Sequence, residues 1–198
     1  MEPQFTLLKP EDYVKTTWAG GVTTQLAISP AGADYGARDF LWRVSSATVS
    51  LDESDFTSLP DYRRFISTLQ GDMTLSHNGG AQLTLHPGDV HPFDGGDNTH
   101  SLGRCTDFNL MLRKGRADGD MRSLRLSAGS VGSFSPDPRA ESVLLFCAEG
   151  SAEVSCGDRT VSLRAWESVL IENAADAALS LRGAEDALLM VAQAWHSK

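Results

Sequence analysis

Cysteine is scarce in this 198-residue chain: Cys105, Cys147 and Cys156 are an odd set without CxxC spacing, which argues against a disulfide framework and against a thiolate zinc site. They read as reduced small hydrophobes. Long apolar runs are missing too, since none approaches the roughly 18 residues that a membrane span needs. The opening MEPQFTLLKPEDY has neither the basic nor the apolar region of a secretory signal, so the expected location is the cytoplasm. Positive charge is in deficit, with 17 Lys and Arg against 26 Asp and Glu and a net charge of −9. Nucleic acid and anionic membrane would be repelled over much of such a surface, whereas a local basic patch still suits a small anion. Phosphate-loop signatures are lacking: the Gly pair in TTWAGGVTT is part of neither GxxxxGK[ST] nor GxGxxG. Histidine is confined almost wholly to one half, with His77, His86, His91 and His100 in the first and only the terminal His196 beyond them.

What the chain does contain is a repeat. The segment 69–93, LQGDMTLSHNGGAQLTLHPGDVHPF, returns in degraded form over 148–171, AEGSAEVSCGDRTVSLRAWESVLI, with Gly71 answering to Gly150 and Leu85 to Leu163. Each copy opens at a Gly, alternates to a polar tip, returns as a second strand, turns, and ends in an apolar run. An offset of about 79 residues is too long for a solenoid repeat and fits duplicated β modules. No helical periodicity interrupts the strands of the second half. The expected organisation is all-β, with an N-terminal module over 1–115 and a C-terminal module over 116–198.

In the first module, FLWRVSSATV places Trp42, Val44 and Ser46 on one face of a strand and Arg43, Ser45 and Ala47 on the other. CTDFNLMLR does the same with Asp107, Asn109 and Met111 against Phe108, Leu110 and Leu112. Asp and Asn are poor strand formers, and inside an apolar run they need partners. A buried Asp107 paired with Arg43 would satisfy both. The segment 29–39, SPAGADYGARD, reads as a loop. No Ser-His-Asp or Cys-His spacing nominates a catalytic group.

The many short strands, the two Gly-initiated hairpins and the Pro-Gly-Asp turn resemble the cupin superfamily, whose members are double-stranded β-helix (jelly-roll) barrels often duplicated as bicupins. More narrowly, the chain resembles the HutD/Ves family of bicupins. The residues that carry this are Trp18, Gly20, Gly21 and Thr23 in WAGGVT; Trp42, Arg43, Ser45 and Ala47 in WRVSSA; Phe56 to Pro60 with Arg64; Phe93 and Gly95; and Asp107 to Met111 in DFNLM. Trp18 stands one place nearer the glycines than in the WxNGGG opening, and no Asn precedes them. The resemblance implies a ligand mouth formed by Trp18, Arg43, Ser45, Arg64, Asp107 and Asn109, suited to a small carboxylate.

Metal-binding cupins carry two His and a Glu before the Gly that corresponds to Gly71, and a third His after the Pro-Gly-Asp turn. No His lies between Ser50 and Gly71, although His100 falls near the third position. His86, His91 and His100 therefore read as solvated loop residues, and the expectation is no metal and no cofactor. The favoured function is a metal-free bicupin that binds a small carboxylate metabolite and, by resemblance to its family, modulates histidine-type amino-acid catabolism. The alternative is a cofactor-free isomerase, lyase or hydrolase of small polar substrates, with Asp107 or His100 as acid or base. Edge strands in bicupins commonly pair across subunits, which makes a homodimer an expected partner arrangement.

Overall fold

The computed structural model describes residues 2–197, and among them every regular element is a β-strand. No helix is present that is long and apolar enough to cross a membrane. Strand β1 (Gln4–Leu8) is followed by ten strands of the first module: β2 (Val14–Trp18), β3 (Gly21–Ser29), β4 (Trp42–Val49), β5 (Glu53–Asp55), β6 (Tyr62–Gln70), β7 (Met73–His77), β8 (Leu83–Leu85), β9 (Val90–Asp94), β10 (Thr99–Leu102) and β11 (Cys105–Arg113). The second module adds β12 (Ala117–Leu126), β13 (Val131–Phe134), β14 (Ser142–Glu149), β15 (Ser151–Cys156), β16 (Arg159–Arg164), β17 (Ser168–Glu172), β18 (Leu179–Gly183) and β19 (Ala187–His196).

Contacts divide the chain into one unit spanning Tyr13–Asp118 and another of Gly119–His196 joined by residues 2–12. That division falls at 118/119 and assigns the N-terminal strand to the second unit. β1 pairs antiparallel with β17, with Phe5 opposite Ile171. Nothing local in QFTLL announces that partner, because the pairing is between segments far apart in sequence.

Each unit is a pair of sheets. In the first, a six-stranded sheet of order β2-β3-β4-β11-β6-β9 belongs with a four-stranded sheet of order β5-β10-β7-β8. In the second, the orders are β1-β17-β14-β19-β12 and β13-β18-β15-β16. The two glycines that mark the repeat do the same physical job. Gly71 has φ +74 and Gly150 has φ +71, the left-handed conformation that side chains resist. A Cβ on Gly71 would lie 2.6 Å from the Arg104 carbonyl oxygen, and one on Gly150 would lie 1.9 Å from that of Asp186. Gly150→Ala is expected to lower stability by more than the roughly 1–3 kcal/mol of its backbone strain alone, because a main-chain carbonyl must also move. Urea denaturation measures this; a loss under about 1 kcal/mol would refute it.

The second unit is filled with hydrocarbon. Val143, Leu145, Cys147, Val169, Ile171, Leu189 and Val191 are fully buried in one cluster. The first unit has an apolar cluster around Ile66, Met73, Leu75 and Phe93 and a second around Phe40, Leu59, Tyr62 and Met111. Polar side chains are buried on the sheet that contributes to both.

Candidate functional site

Residues directly opposite one another on paired strands share a face of the sheet, so register builds the site. One row across the six-stranded sheet runs Ile28, Arg43, Met111, Arg64, Phe93. The next runs Gln25, Ser45, Asn109, Ile66, His91. Asp107 begins a third, opposite Thr68, and its Oδ1 accepts the Ala47 N–H at 3.0 Å. Ile66 and Phe93 on this face pack with Met73 and Leu75 of the four-stranded sheet, which identifies it as the inner face. Two bulges, between Gln25 and Ala27 on β3 and between Thr106 and Asp107 on β11, set these rows in line.

Arg43, Ser45, Arg64, Asp107 and Asn109 are all buried, each 3–6% exposed, which no ordinary surface arginine would be. Their partners are neutral. Arg43 donates from Nε to Gln25 Oε1 at 2.8 Å and from Nη1 to Ser45 Oγ at 3.1 Å, and its guanidinium lies 4.3 Å from the centre of the Tyr35 ring. Arg64 makes only long hydrogen bonds, 3.5 Å from Nε to Asn109 Oδ1 and 3.5 Å from Nη1 to the Thr57 carbonyl. Its guanidinium sits between aromatic rings, 5.0 Å from Phe56 and 4.9 Å from Phe93. Arg38 closes the group from the loop, its guanidinium 3.9 Å from the centre of the same Tyr35 ring.

The expected pairing of Asp107 with Arg43 is not made. Among the ion pairs of the described residues none includes Asp107, Arg43 or Arg64. Three guanidiniums and one carboxyl therefore share the region without a salt bridge. Burial pushes the Asp107 carboxyl up to about 7, against the pull of the Ala47 N–H and the two arginines. Burial also brings Arg64 down to about 10, with like-charge repulsion from Arg43 and Arg38 adding to it. Arg43 is lowered for the same reasons.

Trp18 is not part of this cluster. It pairs with Gly21, which is opposite Val49, six residues along β4 from Arg43 or about 20 Å at the usual strand rise. Its ring lies over Gly20 and is 39% exposed. The aromatic wall comes instead from Tyr35, Phe56 and Phe93, of which Tyr35 stands in the Pro/Gly-rich loop where no periodicity could reveal it. Gln25 is likewise a member that sequence reading misses, because the bulge after it breaks the alternation.

The histidines also separate. His100 points away from the inner face, with Nδ1 2.9 Å from Asp55 Oδ1, and His86 sits in solvent against Asp72, which raises its pKa. His91 is no loop residue: it lies on β9 in the second row, half-buried. A groove of about 320 Å³ opens beside Phe93, lined also by Arg63, Pro92, Asp94 and Lys114. Its cations are already paired, Arg63 with Asp118 at 3.4 Å and Lys114 with Asp94 at 2.7 Å, so it offers an anion less than the buried arginines do.

The registers explain why the second unit has no such site. Val143 is opposite Ile171 and Gln193, and Leu145 is opposite Val169 and Val191. Valine thus holds the place of Arg64, Val169 that of His91, Val191 that of Asn109, and Leu189, opposite Cys147, that of Asp107.

Comparison with known proteins places this geometry in a family. The HutD family profile matches residues 10–189. A conserved protein, PA5104 from Pseudomonas aeruginosa PAO1, is similar in structure at TM-score 0.83 and 24% identity, covering 97% of this chain and 99% of that one. HutD from Pseudomonas fluorescens SBW25, in a formate condition, gives TM-score 0.76 and 24% identity over 98% and 100%. YhhW from Escherichia coli gives TM-score 0.69 at 10% identity over 96% and 97%. No curated protein matches the chain. The paired sheets of each unit and these neighbours establish a bicupin fold.

Proposed function

The chain belongs to the HutD family, and from that premise we propose that its first module is a receptor that takes a small carboxylate metabolite on its arginines without a metal, and that modulates amino-acid catabolism of the histidine type. The observation that carries the reading is the set of buried guanidiniums of Arg43 and Arg64, with Arg38 beside them, held on a sheet face without an anionic partner. In water such charges are solvated; inside a barrel each is costly until a counter-ion arrives. A carboxylate is the natural one, because a guanidinium presents paired donors matched to its two oxygens. Ser45, Gln25 and Asn109 add neutral hydrogen-bonding groups that orient the rest of a polar acid. The net charge of −9 makes this cationic interior a local exception on an anionic protein. The role in histidine-type catabolism rests on family membership alone.

The test is a thermal-shift screen of small mono- and dicarboxylates, beginning with formate because a relative's structure was determined in a formate condition. A carboxylate at 100 times its Kd should stabilise the protein by about 2.7 kcal/mol. Arg43→Ala should abolish the shift; an equal shift in that variant would remove Arg43 from the site.

A second reading has one observation in its favour. A carboxyl at about 7 beside buried cations is poised for general acid–base work, which would make the module an isomerase, lyase or hydrolase. The neighbouring Cys105 thiol does not compete for the role, since burial and the Asp107 charge push it up to about 12. Under this reading a screened acid is converted to product and Asp107→Asn stops the conversion; stabilisation without product returns the module to the receptor reading.

A further inference from the structure

We propose that His77 and His91 form a two-imidazole chelate for a divalent transition-metal ion, reaching from one sheet of the first module to the other. His77 ends β7 of the four-stranded sheet and His91 lies on β9 of the six-stranded sheet. Their Nε2 atoms face each other at 3.0 Å, and both side chains are half-buried. Two nitrogens each about 2.0–2.1 Å from one zinc-type ion, at octahedral to tetrahedral angles, stand roughly 3.0–3.4 Å apart. The observed separation is at the short end of that bite.

The surroundings hold the rings in place for it. His77 Nδ1 is 2.8 Å from Oγ1 of Thr99, a residue 1% exposed. In the tautomer that donates this hydrogen bond, His77 Nε2 carries the lone pair that a metal requires. Such an outer partner on the second nitrogen is the usual support of a metal-binding imidazole. Phe93 fixes the ring planes, stacking on His77 with centroids 5.1 Å apart and lying nearly parallel to His91, at 5°. The same ring also packs against the Arg64 guanidinium. Without metal the pair shares one proton in an imidazole hydrogen bond; with metal His91 carries its proton on Nδ1 instead, and no net proton is released from two neutral rings.

No group of three or more His, Cys, Asp or Glu able to hold a metal occurs among the described residues. The chelate therefore has two protein ligands, and water fills the remaining positions. Imidazole with water suits Zn²⁺, Ni²⁺ and Cu²⁺ and disfavours Mg²⁺ and Ca²⁺. The site is not the two-His-and-Glu set of metal-binding cupins; His100, nearest to that pattern, faces outward on Asp55.

Isothermal titration of the full chain with Ni²⁺, in buffer free of carboxylates, tests the site independently of the anion reading. One ion per chain is expected, with affinity falling at least tenfold in His77→Ala and in His91→Ala and about tenfold in Thr99→Val. The triple variant His86→Ala/His100→Ala/His196→Ala should bind as the parent does. Electron paramagnetic resonance of bound Cu²⁺ should show two imidazole nitrogens in the parent and one in either single variant. Folding of each variant is checked by circular dichroism, and His77→Gln and His91→Gln replace any alanine variant that unfolds. Uptake that survives in both single variants and is lost in the triple variant, or no saturable uptake at millimolar Ni²⁺, overturns the proposal.

Discussion

Arg64→Met is expected to abolish carboxylate binding while leaving the unliganded protein as stable as the parent or more stable. The guanidinium is 5% exposed, and burial lowers its pKa from 12.5 to about 10. The sign follows directly: a base whose folded pKa is depressed is bound less well as a cation by the folded state than by the unfolded one. Folding therefore carries a penalty at every pH below about 10, of roughly 3 kcal/mol at about 1.4 kcal/mol per unit. Against it stand two 3.5 Å hydrogen bonds and the ring contacts with Phe56 and Phe93, which return about 1–2 kcal/mol. Methionine keeps much of the volume and the contact with those rings without the charge. The expected change is from zero to about 2 kcal/mol of added stability, as is common when a buried charge is exchanged for a well-packed apolar group. Thermal melts with and without the best carboxylate give both halves of the result. A variant that is markedly less stable and still gains from the carboxylate would mean that Arg64 is a structural prop and the receptor lies elsewhere.

The residues of this cluster were unequally legible. Period-two alternation put Arg43 with Ser45 and Asp107 with Asn109, and the structure has them so, because a strand gives its side chains no other choice. What alternation could not supply was the alignment of one strand on the next. The unbroken β4/β11 register sets Met111 opposite Arg43 and Asn109 opposite Ser45, so that Asp107 reaches the Ala47 N–H instead of meeting Arg43. Trp18 was attached to the site through the family pattern of its segment, yet its register opposite Gly21 carries it to the far end of the sheet. Tyr35 escaped notice for a different reason: a side chain in a loop follows no period, and its value arises only where the loop folds over Arg43 and Arg38. His77 ends β7 at the polar tip of the first hairpin, and its meeting with His91 joins two sheets, a contact between residues 14 apart on separate strands that no local pattern encodes. The duplication, by contrast, was legible because each copy needs a glycine at the same left-handed corner.

The pH dependence of stability isolates the remaining member. Asp107 is 6% exposed and its carboxyl is pushed from 3.8 up to about 7. An acid whose folded pKa is raised binds its proton more tightly in the folded state. Its contribution is fully present below about pH 4, falls by about 1.4 kcal/mol per pH unit as the unfolded chain ionises first, and is lost once pH passes about 7. Asp107→Asn keeps an oxygen to accept the Ala47 N–H and removes the ionisation. The variant should therefore equal the parent near pH 4 and exceed it at pH 8 by on the order of 3–4 kcal/mol, read from urea midpoints across the range. Comparing the two proteins at each pH cancels the titration of the other carboxylates. Binding should follow the same course: the ionised Asp107 repels an incoming carboxylate, so parental affinity declines as pH rises through 7, while that of Asp107→Asn stays level. A difference in stability that is flat from pH 4 to pH 8 would place the Asp107 titration outside this window and take both its electrostatic role and the acid–base reading with it.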